Sequence, residues 1–273
     1  MKIDSASFQK AFVQRAQVLL EKADSAVSQS TEPAPVDEVS LSGSGQSSGR
    51  LSFQGLVTGL AVSTAMGGVP GLAALAQEVA RGLISDEQEA AASVRMTEQF
   101  LQTLPKVEEP RVAEIWSEIA KVTDSPFQAP LVFQSGFLDA QADARTIMLG
   151  TESLNEDLSD DSVLAFTLAH EEGHRRHRDT AGAAGLQALF ELCQENDELY
   201  GLAFKAMAAG RRHNERQADQ FAARAMTELG YDKQPVLEFL EALPGDMQHP
   251  PGPERADLVQ QIFSSPTWKQ VGM

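Results

Sequence analysis

A single cysteine, Cys193, stands in 273 residues. It forbids an internal disulfide framework and any thiolate-rich zinc knuckle, so a metal would have to be held by imidazole and carboxylate. Basic charge is scarce as well: 22 Lys and Arg face 39 Asp and Glu, a net charge of −17 and a pI near 4.6. Phosphate contacts need basic side chains in excess, which argues against a nucleic-acid partner and against docking on anionic lipid. Peptides and small molecules are the expected partners. No secretory leader is visible, because Asp4 follows one lysine and no apolar stretch comes after it, so the default address is the cytoplasm. An unbroken apolar span is also missing. Residues 51–77 carry no charge, but Gly67, Gly68, Pro70 and Gly71 interrupt them and Ser, Thr and Gln dilute them. A buried apolar segment is expected there, with weak peripheral contact to a membrane as the alternative.

The length suits one moderate domain with appendages. Residues 1–23 repeat Phe8, Phe12, Ala16, Leu19, Leu20 and Ala23 at helical spacing, predicting an amphipathic helix. Residues 24–50 are rich in Ser, Gly, Pro and Glu and read as a disordered linker. The apolar Gly-rich segment 51–84 follows, and 85–273 forms the main domain. Ser85 with Gln88 makes a capping-box signature opening a helix to about 103, and Pro110 opens a second through about 122. Residues 130–134 and 146–151 are short β-type runs. A helix starts at Ser159, with acid in its first turn and base in its last, and further helices are predicted over 185–209, 212–229, 234–243 and 254–263.

The 159 helix contains His170-Glu171-Glu172-Gly173-His174, an HExxH pattern. Two histidines four apart project from one helical face and can direct nitrogens at one zinc ion, while Glu171 can reach the water that would complete the coordination. Two His and one Glu at these offsets also arise by chance, and then they are ordinary helix histidines. LAFTLA before the motif and RRHR after it place the pattern between a buried and a wet end. The motif lacks a third ligand. Position 180 is Thr, so HExxHxxGxxH is absent, and His177 among arginines reads as a surface residue. Glu215 and Asp219, four apart, offer a carboxylate ligand and a partner for a ligand-histidine N–H. The alternative for them is a solvated charged face.

HEEGH followed by Glu215 and Asp219 as ExxxD resembles the zinc metallopeptidases of the HtpX, BepA and CAAX-prenyl-protease type, a gluzincin branch. ISDEQEAAASVRMTEQFLQTLPKVEEPRVAEIWSEIA, TIMLGTESL and HPPGPER extend the likeness over about 85–263. The resemblance implies an α+β, mostly helical zincin-like fold with a small sheet beside the active-site helix. It implies one zinc ion per chain on His170, His174 and Glu215, Glu171 as base, and Asp219 and Arg255 supporting them. His249 would lie in a loop near the metal, stabilising an oxyanion or capping the zinc in a latent state. Two departures stand out: the element usually preceding the edge strand is not recognisable in FLDAQADAR, and Gln248 stands where a small hydroxyl residue is common.

The expected activity is a metalloendopeptidase acting on unfolded or extended polypeptide. The substrate would lie antiparallel to the 146–151 strand and be read mainly through its backbone. A catalytically silent zinc-containing chaperone or adaptor, or a latent protease closed by the His249 loop, is the alternative.

Overall fold

In a computed structural model the described residues are 53–265 other than 137 and 194–196, with side chains from 68 onward except at 197 and 198. The expected helix over 1–23 and linker over 24–50 lie outside them. The described chain is mostly helical with one small sheet, an α+β zincin-like arrangement.

Helix α1 (Phe53–Leu83) is two helical pieces meeting at Gly68, whose φ of 64° is a conformation only glycine adopts without strain. The glycine and proline cluster therefore kinks the apolar segment without ending it. Helix α2 (Asp86–Thr103) starts from the expected reciprocal Ser85–Gln88 cap. Strand β1 (Lys106–Val107) leads into α3 (Pro110–Thr123), which has Pro in its first turn. Strands β2 (Leu131–Phe133), β3 (Gln141–Ala142) and β4 (Ile147–Gly150) complete the sheet. A short α4 (Thr151–Asn155) and then α5 (Asp161–Arg176), α6 (Asp179–Cys193), α7 (Asp197–Leu229), α8 (Gln234–Ala242) and α9 (Gly252–Ser264) follow.

Two sequence expectations are corrected. The helices set at 185–209 and 212–229 are cut differently: α6 ends at Cys193, and α7 runs unbroken from Asp197 past Gly210. A Cβ at Gly210 would press on Leu186 and Ala73, so that glycine serves close helix packing and is no helix stop. The sheet order is β1-β2-β4-β3, with β2 and β4 parallel and the outer strands antiparallel. The 146–151 run is therefore interior, and β3, inside the unrecognised FLDAQADAR, is the edge strand on its side. Asp143 closes the β3–β4 turn by accepting the N–H groups of Arg145 and Thr146.

One core joins α3, the sheet, α5, α7 and the last two helices through Trp116, Ile119, Leu149, Leu164, Leu168, Met226, Leu240 and Val259. Each such buried side chain contributes roughly 1.5–3 kcal/mol relative to exposure. A second cluster packs Leu72, Ala73, Ala76 and Val79 of α1 on Leu186 and Leu189 of α6 and on Ala203 and Met207 of α7. Leu72, Ala73 and Ala76, from the part of the apolar segment whose side chains are described, are thus buried against the helices that flank the motif. Among the described residues no helix is long and apolar enough to cross a membrane.

Candidate metal centre

Helix α5 starts at Asp160, whose carboxylate accepts the N–H groups of Ser162 and Val163. Its apolar residues Leu164, Ala165, Phe166, Leu168 and Ala169 are fully buried, which fixes how the helix is rotated. The HExxH turn then faces α7. Gly173 makes the approach close, since a Cβ there would meet Ala218 Cα at 3.0 Å and Phe221 Cβ at 3.2 Å. His170 and His174 on α5 consequently meet Glu215 and Asp219 on α7.

The two imidazole Nε2 atoms lie 3.0 Å apart, and Glu215 reaches them at 3.4 Å (His170) and 3.3 Å (His174). These three residues are the His and carboxylate group that could hold a metal ion among the described residues. Donors around a tetrahedral ion with bonds of about 2.05 Å sit about 3.3 Å apart, so the spacing suits zinc. The ring orientations fit too. His170 Nδ1 is 2.9 Å from Asp219 Oδ1 and His174 Nδ1 is 2.8 Å from Asp179 Oδ2. Each Nδ1–H then donates to a carboxylate, leaving the Nε2 lone pairs converging beside a carboxylate. Hydrogen-bonding nitrogens held this closely, with acid on every side, are a donor set for a cation.

The electrostatics agree. Burial disfavours charging His170, but contacts with Asp219 and Glu215 outweigh it and raise its pKa. His174 goes well above its ordinary value despite burial, through Asp179 and Glu215. Burial acts to raise the Glu215 carboxyl, yet the two imidazoles hold it far below the usual carboxylate range. Asp219, fully buried, is likewise lowered against its burial by His170 and Arg255. The site therefore favours positive charge between its carboxylates.

Arg255, from α9, grips Asp219 through two bonds of 2.8 and 2.7 Å. Glu171 is buried, and its charge acts on both His174 and Arg255. His249 lies in a loop shaped by Asp246, which accepts the backbone N–H groups of Gln248 and His249 and faces His249 Nδ1 at 3.1 Å. Arg212 donates to the Asp246 carbonyl and Arg211 to Gln248, tying that loop to α7. His249 Nε2 comes within 3.9 Å of Glu215 Oε1.

His177 is corrected. It is half-buried, not a surface residue, with its Nδ1 enclosed and its ring edge-on to Phe221. Asp179 escaped the sequence reading. Its only signal was an acid immediately past the basic end of the motif helix, a position that ordinarily marks the first turn of the next helix.

A search of the curated proteins finds no match to this chain. The family model for Peptidase family M48 matches residues 106–263, more than half of the sequence and all of the helices that bring the paired histidines to Glu215. On that match, and with a metal-binding geometry where such an enzyme needs one, the chain belongs to Peptidase family M48, the metal-dependent peptidases of the HtpX and CAAX-protease type.

Proposed function

We propose that this protein is a zinc metalloendopeptidase that cleaves extended polypeptide. The observation that carries the reading is the meeting of His170, His174 and Glu215 from two helices, with Glu171 beside them in the same buried turn. His170, His174 and Glu215 would hold the ion. Zinc so bound supplies a Lewis acid that brings the pKa of a water toward neutrality. Glu171 takes the proton of the attacking water and returns it to the departing amine, since it follows His170 by about 100° of helical rotation and shares its buried setting. His249 Nε2, on the same side of Glu215, supports the developing oxyanion. Asp219 and Arg255 hold His170 in the tautomer that keeps its Nε2 lone pair free. The substrate adds to the open edge of β3, where main-chain hydrogen bonding reads backbone before side chain.

Glu171→Gln tests the base. Zinc content stays at the wild-type level while cleavage of casein falls by several orders of magnitude; undiminished cleavage would remove Glu171 from this role. A latent state is supported by a specific observation, the tether of the His249 loop to α7 through Arg211 and Arg212 with its ring 3.9 Å from Glu215. His249→Ala separates the two roles: cleavage falls if the ring serves the oxyanion and rises if it closes the site.

A further inference from the structure

Two chains of the same construction support the two motif histidines. One is Arg255–Asp219–His170, described above. The other is Arg81–Asp179–His174: Asp179 Oδ2 lies 2.8 Å from His174 Nδ1, and Asp179 Oδ1 accepts from Arg81 Nη2 at 3.0 Å. Both oxygens of the buried Asp179 are thereby committed, one to the ring and one to a cation on α1. Arg81 lies 25 residues before the start of the family match, so nothing in that match accounts for it.

Other contacts show how firmly α1 holds this region. Arg178, between α5 and α6, has a φ of 55°, a left-handed conformation that costs a non-glycine residue about 1 kcal/mol or more. Its guanidinium donates to the carbonyls of Arg81 and Ile84 and to Glu89, at 3.2, 2.6 and 2.9 Å. The strained turn that presents Asp179 is therefore fastened to the end of α1. One turn earlier on α1, Gln77 donates to Asn214 at 2.9 Å, in a buried bond beside Glu215. The helix thus touches both α6, at the His174 partner, and α7, next to the carboxylate.

We propose that Asp179 is the positioning residue for His174, and that Arg81 fixes Asp179, making α1 part of the metal centre. This rests on the metal reading given above. Asp179 accepts a hydrogen bond from His174 Nδ1–H, which keeps the proton on Nδ1 and leaves the Nε2 lone pair free, and Arg81 prevents the carboxylate from swinging away. A merely structural role would be different: an acid in the first turn of α6 that favours the helix dipole.

The test is zinc affinity of the full-length protein, stripped of metal and titrated against a competing chelator. It is paired with the visible d–d spectrum of the cobalt(II)-substituted protein. Asp179→Asn and Arg81→Ala should each weaken zinc by roughly 10–100-fold and shift the cobalt bands, with unchanged far-UV circular dichroism. Arg81→Lys should recover part of the loss. Asp179→Asn combined with Thr180→Asp restores the first-turn charge and should not restore affinity; full recovery would assign Asp179 to the helix dipole and overturn the proposal. Zinc affinity of Asp179→Asn and Arg81→Ala within twofold of wild type, while Glu215→Ala loses its zinc, would also overturn it and leave the metal centre intact. Equal zinc binding by wild type and Glu215→Ala would remove the metal reading itself, and this proposal with it.

Discussion

Glu172 lies next to Glu171 in the sequence and is paired with Arg175. Its side chain is 0% exposed and so is that of Arg175, which approaches it at 2.6 Å. Glu172→Gln preserves shape and removes the counter-charge. Breaking a fully buried pair from one side costs roughly 3–5 kcal/mol, because the remaining charge has no water to turn to. Two features of the structure pull the figure toward the lower end. Arg175 also donates to the Arg145 carbonyl at 3.2 Å, and its guanidinium sits 3.8 Å from the Phe127 ring centroid, a cation–π contact worth about 1–2 kcal/mol when desolvated. Loss of the bond from the partly exposed Arg176 adds only about 0.5 kcal/mol. The expected cost is therefore about 3 kcal/mol, a fall of roughly 150-fold in the folding equilibrium constant. Urea unfolding followed by far-UV circular dichroism measures it, and the m-value should be unchanged. Zinc per folded molecule should also be unchanged, since Glu172 binds Arg175 and Arg176 and neither histidine. The double variant Glu172→Leu with Arg175→Met puts apolar groups among Trp116 and Phe127 and should regain most of the loss. A single-variant cost under about 1 kcal/mol, or a double variant no more stable than the single, would refute the reasoning.

Two further predictions concern the frame of the site. Gly185→Ala would drive a Cβ into the Ala76 carbonyl and the Ala80 side chain, and should cost about 1–3 kcal/mol in urea unfolding; a neutral result would mean that α1 does not pack on α6 in solution. Asp160→Ala removes the side chain that caps α5 and should cost about 1 kcal/mol, read as a lowered melting temperature with the metal content intact. Metal loss at equal fold would show that the cap also sets the pitch of the motif.

What the sequence revealed depended on how local the signal was. The Ser85–Gln88 cap, Pro110 at the start of α3 and the HExxH helix are written within a few residues of one another, and all three elements appear where expected. Strands β1 and β3 have two residues each, too few to show an alternation, and β3 lies within FLDAQADAR, where no family element is recognisable. The break expected between 209 and 212 is absent, because the packing of Leu186 and Ala73 against Gly210 overrides the low helix preference of glycine. The support that Asp219 and Arg255 give the site is implied by the resemblance to the family, and the structure pairs them directly. The pairing of Arg81 with Asp179 is not legible in the sequence, because the two are 98 positions apart and belong to no shared motif. His177 was misjudged because its arginine neighbours suggested solvent, whereas helical rotation turns it toward Phe221 on α7.

The central claim is that two imidazoles on α5 and one carboxylate on α7 share a divalent ion. Elemental analysis of purified wild-type protein and of Glu215→Ala, both shown to be folded by circular dichroism, tests it most directly. The expected result is one zinc per wild-type chain and a large deficit in the variant. Stoichiometric zinc in Glu215→Ala would contradict it.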